Sequence, residues 1–179
     1  RVRLSRGNER SIVTSIVNRI ALDVASIDIK HCRLDENGRF ETELQSKLNE
    51  CLTLEANLDQ TSRAFIQDVA MSMLNEGCVA IIPVDTTTDP NETFSYDILS
   101  MRTGKVVKWY PSQIKVNVYN ERTGRREDIT INKSAACIIE NPLYAVMNEH
   151  NSTLQRLIRK LVLLDGIDDN GEISLDAQE

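Results

Sequence analysis

The chain is 179 residues long, 41% apolar and 27% charged, with a net charge of −6 and a pI near 5.1. These fractions sit close to globular averages of roughly 45–50% and 25%, which excludes a solenoid and a mostly disordered chain, and the length suits one domain. The acidic balance is the reverse of the basic footprint, pI above ~9, of a sequence-reading nucleic-acid binder, and no run of 18 apolar residues offers a transmembrane helix. Seven Gly and four Pro leave room for few loops, and 4% aromatics leave the core to Ile, Val, Leu and Ala.

Arg1 to Arg6 is basic, but no signal-type apolar block follows it. The missing initiator Met and the polar stretch Asp165 to Glu179 point to a chain cut from a longer one. Asn8 and Ser11 suit a helix start. Behind them Ile12, Val13, Ile16, Val17, Ile20 and Val24 predict an amphipathic helix over 11–25, with Arg19 and Asp23 toward water. The period then becomes two: Ile27, Ile29 and His31 alternate with Asp28, Lys30 and Cys32. That predicts a strand, closed by the hairpin signal Asp35-Glu36-Asn37-Gly38.

Leu44, Leu48, Cys51 and Leu52 fit a short helix. A longer one follows Asp59-Gln60-Thr61-Ser62, with Phe65, Ile66, Val69, Ala70, Met73 and Leu74 on its buried stripe and Gly77 ending it. Residues 78–84 form an apolar strand, and 85–91 a polar, Thr-rich surface loop. From Tyr96 to Glu140 the pattern is all β, with strands near 95–101, 105–110, 114–120, 126–131 and 136–140. Two tripeptide-based turns, Arg102-Thr103-Gly104-Lys105 and Arg122-Thr123-Gly124-Arg125, separate strands in this antiparallel meander. Asn141-Pro142 breaks the sheet.

Ser152 or Thr153 then caps a last helix. Leu154, Leu157, Ile158, Leu161, Val162 and Leu164 lie on its apolar side, and Arg156, Arg159 and Lys160 on the other. So broad a stripe near the chain end is expected to pack on neighbouring copies or on residues beyond this chain, which makes Leu157, Ile158 and Leu161 candidate subunit contacts. The expected fold is α+β: amphipathic helices on an antiparallel meander over 1–150, then a long exposed helix and polar tail over 151–179.

Sites for chemistry are not legible. Cys32, Cys51, Cys78 and Cys137 have no C-x-x-C spacing, and only His31 and His150 are at hand to help them hold a metal. They read as thiols in a reducing cytosol. No G-x-S-x-G elbow and no Gly-rich phosphate loop is present. Asp168-Asp169-Asn170-Gly171 lacks the spacing and closing Glu of a calcium loop. Glu9, Asp23, Glu41 and Glu43 fit solvated faces, and strand geometry puts His31 and Cys32 on opposite sides. The expectation is therefore no enzyme, with no catalytic, metal-ligating or cofactor-binding residue and no cofactor. Arg156, Arg159 and Lys160 form a basic stripe that either meets DNA phosphate or is a solvated face. Arg122, Arg125 and Arg126 are balanced by Glu121, Glu127 and Asp128.

The order of elements carries a resemblance. A β-branched helix runs into an edge hairpin over Ile27 to Phe40. A short helix and Leu54-Glu55-Ala56-Asn57-Leu58-Asp59-Gln60-Thr61 lead to a helix containing Phe65 that ends Leu74-Asn75-Glu76-Gly77. An apolar strand, Trp109-Tyr110-Pro111-Ser112-Gln113-Ile114-Lys115-Val116, a hairpin, and Ala136-Cys137-Ile138-Ile139-Glu140-Asn141-Pro142-Leu143 follow. Over roughly residues 11 to 164 this resembles the portal, or head–tail connector, proteins of tailed bacteriophages of the Hong Kong ninety-seven type. Asn57, Thr61, Phe65, Gly77, Pro111 and Pro142 occupy the motif positions. Ala56 stands where the family has Pro, Cys78-Val79 where it has Asn-Ala, and Ile138-Ile139-Glu140 lacks the family's His.

The resemblance implies a ring, usually a dodecamer, at one vertex of a capsid, on a wing region followed by the start of a stem helix. Double-stranded DNA would pass through its channel during packaging and ejection. The packaging ATPase (the terminase large subunit), the major capsid protein and the head-completion or tail connector proteins would be its partners, with no membrane. The subunit would sit in the virion and, during assembly, in the bacterial cytoplasm. An acidic channel subunit suits DNA passage, since each neutralised phosphate adds salt-dependent affinity. Two other readings stand beside it: a self-associating adaptor or binding module without catalysis, and a small hydrolase.

Overall fold

A computed structural model describes residues 8–93 and 95–144, with side chains from residue 14 onward. The chain divides into two units, Ile20–Asn141 and a second made of Arg1–Arg19 with Pro142–Glu179. The described residues are mixed α+β, with three α-helices and an antiparallel sheet. The last helix expected after Ser152, with Leu157, Ile158, Leu161, Arg156, Arg159 and Lys160, lies outside the described residues.

Helix α1 spans Asn8–Ala25. The alternation at 27–31 does not make a strand. The amides of Ser26 and Ile27 still donate back to the carbonyls of Asp23 and Val24, so the chain is leaving a helix there. Pairing starts at β1 (Cys32–Leu34), which joins β2 (Phe40–Glu43) in a two-stranded ribbon around the expected turn. Gly38 takes φ 74°, and Asp35 Oδ1 accepts from the amides of Asn37 and Arg39 at 2.8 Å. Leu34 and Phe40 face each other across the ribbon, both exposed.

Helix α2 (Lys47–Thr53) starts at Ser46, whose hydroxyl accepts from the Asn49 amide. A short hairpin that the sequence pattern did not announce, β3 (Glu55–Asn57) and β4 (Gln60–Thr61), feeds α3 (Ser62–Glu76). Thr61 caps α3 by accepting from the Ala64 amide, and Gly77 ends it with φ 83°, a conformation that L side chains rarely adopt.

The main sheet has the order β8-β7-β6-β5-β9, with β5 Cys78–Thr86, β6 Ile98–Trp109, β7 Gln113–Asn120, β8 Arg125–Asn132 and β9 Cys137–Glu140. A single 3-10 turn, Lys133–Ala135, links the last two. Strand β5 is apolar from Cys78 to Val84 because both faces are covered there, and it runs on through Asp85 and Thr86, which the sequence pattern assigned to the loop. Val79 and Ile81 pack with Phe65, Val69 and Met101, while Ala80 and Ile82 pack with Ile114, Val116 and Ile131. Pro83 is tolerated in β5 beside a register irregularity, where a missing N–H costs no regular ladder bond.

One expected turn is absent. Arg102-Thr103-Gly104-Lys105 lies inside the twelve-residue strand β6, whose first half pairs with β5 and whose second half pairs with β7. Gly104 sits at the changeover. A Cβ there would stand 3.2 Å from Ile82 Cγ1 and 3.4 Å from Val116 Cβ, so the glycine serves close approach rather than a reversal. The other tripeptide does turn, with Gly124 at φ 67°. At the second tripeptide Asn120 Oδ1 accepts from the Arg122 amide and closes an Asx turn, whereas Ser100 holds the matching place before Arg102.

Candidate functional site

Arg102 is the only buried cation among the described residues, 7% exposed. Its Nε and Nη2 donate to Glu121 Oε1 at 2.9 and 2.7 Å, and Nη2 also donates to Asp59 Oδ2. Its guanidinium lies 4.8 Å from the Tyr119 ring centroid. Burial on its own lowers the guanidinium's pKa; the bonds to Asp59 and Glu121 outweigh it and hold the group above its ordinary value. Beside it, Asp68 Oδ2 accepts from the Thr103 hydroxyl at 2.6 Å and from Gln60 Nε2 at 3.3 Å. These bonds tie the β3–β4 turn and α3 to β6 and the end of β7.

The residues carrying the resemblance have clear local roles. Asn57 is buried: its Nδ2 donates to the Met101 carbonyl at 2.9 Å and to Gln60 Oε1, and its Oδ1 accepts from the Asp59 amide. Thr61 caps α3, Phe65 is fully enclosed and Gly77 ends the helix, so these four gather around one hairpin–helix unit. Pro111 lies apart, in the β6–β7 turn, where its carbonyl accepts from Lys133 Nζ at 3.1 Å. Pro142 is exposed just after β9.

Two concave surfaces of unit Ile20–Asn141 carry apolar side chains. The larger, about 570 Å³, lies among α1, α3 and the sheet and is lined by Ile20, Val24, Ile66, Met73, Ile81 and Ile139, among others. Nearby on α1, Ile20, Leu22 and Val24 are all substantially exposed. The second, about 440 Å³, is bordered by α2, β3 and the start of β6.

Polar groups elsewhere serve the fold. His31 Nδ1 lies 2.7 Å from Ser46 Oγ, but that hydroxyl is the α2 cap, and the His31 amide donates to Asn49 Oδ1. Asn49 in turn donates to Glu43, which also takes Lys30. The bonds from Lys30 and then Asn49 hold the Glu43 carboxyl below its usual range. Burial pushes the Cys51 and Cys78 thiols up, helped by nearby Glu50 for the first and by Glu140 and Glu76 for the second. Among the described residues no group of three or more His, Cys, Asp or Glu is placed to hold a metal.

Sequence reasoning missed the Arg102 cluster because it took Arg102 for a turn residue. The available signal was charge: from Ile98 to Asn120 there are four cations and no acid, so the matching carboxylates had to come from other elements. No protein-family model matches the chain, and no curated protein matches it.

Proposed function

We propose that the chain is the wing region, with the start of the stem, of a tailed-phage portal subunit: a structural ring component through which double-stranded DNA is packaged and ejected. The packaging ATPase, the major capsid protein and tail connectors are its proposed partners. The observation that carries the reading is the hairpin–helix unit. Asn57, Thr61, Phe65 and Gly77, four of the six motif positions of the resemblance, act there as turn lock, cap, core anchor and helix end.

Uncovered apolar surface supports it. Ile20 and Val24 on one concave surface, and Leu54 and Leu58 on another, are exposed on a single copy, and exposed apolar patches mark association sites. The full-length gene product, viewed by negative-stain microscopy and weighed by mass photometry, is expected to form closed rings of about a dozen copies. A protein that stays monomeric at high concentration refutes the reading. A dimer favours the adaptor, for which the exposed Leu34–Phe40 pair on the β1–β2 ribbon is a ready docking point.

A further inference from the structure

Leu58 and Leu54 are the two most exposed large apolar side chains among the described residues, at 80% and 69%. They flank the 440 Å³ concavity with Leu99, and Cys51 lies buried at its inner edge, donating to the Leu99 carbonyl at 3.5 Å. The rim is acidic. Glu50 is held by Lys47 and Glu121 by Arg102, but Glu55 and Asp85 have no ion-pair partner among the described residues. Ser100 lines the same concavity, and its hydroxyl is buried without a hydrogen-bond partner. Exposed leucines and two exposed carboxylates without ion-pair partners together ask for a ligand that is apolar and cationic at once.

We infer that this surface receives the segment Leu154–Leu164 of a second copy of the chain. In sequence that segment has no acid, and it sets Arg156, Arg159 and Lys160 among Leu154, Leu157, Ile158 and Leu161 at spacings of three and four. That is the pattern of a helix laid into an apolar groove. Its cations match Glu55 and Asp85. Two different, complementary patches on one chain make a head-to-tail contact, which closes into a ring when the rotation allows. The inference rests on the portal reading and names the contact that would build its ring.

The test uses the full-length protein. In a background with Cys32, Cys78 and Cys137 changed to Ser, one tagged copy carries Leu58→Cys and a differently tagged copy carries Leu157→Cys. A short thiol crosslinker is expected to join the two tags, with little product from either copy alone. Separately, the double change Glu55→Lys and Asp85→Lys should raise the concentration needed for assembly at least tenfold. Adding Arg156→Glu and Arg159→Glu to it should restore most of the loss. All these side chains on the described surface are exposed, so unchanged circular-dichroism melting of the unassembled variants confirms folding. Wild-type rings with no crosslink between copies, or with a charge change that is not rescued, overturn the docking contact and leave the portal reading standing. A crosslink confined within one copy also overturns it. A wild-type protein that forms no rings overturns both.

Discussion

Replacing Arg102 with Met keeps most of the side-chain volume and removes the charge and its donors. Glu121 then loses two charge-assisted bonds while its side chain is 25% exposed, and Arg102 itself is 9% exposed by side chain. Both reach the same oxygen, Glu121 Oε1, and together count as one such bond, about 1.5–3 kcal/mol. Stacking on Tyr119 adds about 0.5–2 kcal/mol. The Asp59 bond adds little, about 0–1 kcal/mol, because that carboxylate is 61% exposed and solvated without its partner. Retained packing by Met and relaxation of Glu121 toward water make the lower half of the sum the better guide, so the expected cost is about 2–4 kcal/mol. Urea unfolding at one fixed protein concentration reads this as a lower midpoint with an unchanged slope. Glu121→Gln alone should cost less, and the double variant should cost clearly less than the two single changes added together. A loss under about 1 kcal/mol, or strict additivity, refutes the claim that this cluster pins the β3–β4 turn to the sheet.

Phe65→Ala should cost about 3–5 kcal/mol, because the ring is fully enclosed between α3 and the sheet; a neutral result in thermal or urea unfolding would reassign that face of α3. Gly104→Val should cost about 1–3 kcal/mol by overpacking Ile82 and Val116, and unfolding that matches wild type would show that the strands part easily there. Stability should also fall in acid. Glu43, Glu127 and Asp128 are held below their usual range by hydrogen bonds, from Lys30 and Asn49, from Thr123 and Asn120, and from Asn117 and Lys115. A depressed carboxylate contributes in full above its unfolded pKa of about 4 and loses that contribution as the pH falls through its folded value. Thermal midpoints should therefore drop below about pH 4, and Glu127→Gln with Asp128→Asn should flatten the drop; an unchanged acid limb would exclude these groups as its source.

Periodicity and punctuation carried most of the element order. The α3 stripe, its Gly77 stop, the Asn37-Gly38 reversal and the apolar run of β5 are all one-dimensional signals of local physics, and the structure has each of them. What failed depended on distant partners. The alternation from Ile27 to Cys32 has a strand's period, but no strand lies beside most of it, so pairing begins only at Cys32. Arg102-Thr103-Gly104 has a turn's composition, yet Ile82 from one strand and Val116 from another decide what Gly104 is for. The β3–β4 hairpin is too short to show a period at all. Arg102's partners, Asp59 and Glu121, stand 43 and 19 residues away, a separation that no local pattern encodes.

The same distinction governs how function is written in this chain. Here the enclosed polar groups of the described fold are committed to caps, ladders and the Arg102 cluster. Only the Ser100 hydroxyl is enclosed without a partner among the described residues, and Glu55 and Asp85, exposed and without an ion-pair partner, line the same concavity as the most exposed leucines. An interface leaves that signature because half of its partners belong to another molecule: apolar area without cover, and charge without a counterion. On the portal reading the missing half is supplied by an identical neighbour. A resemblance carried by fold determinants such as Thr61 and Phe65 then fits a protein whose work is to hold a shape and repeat it.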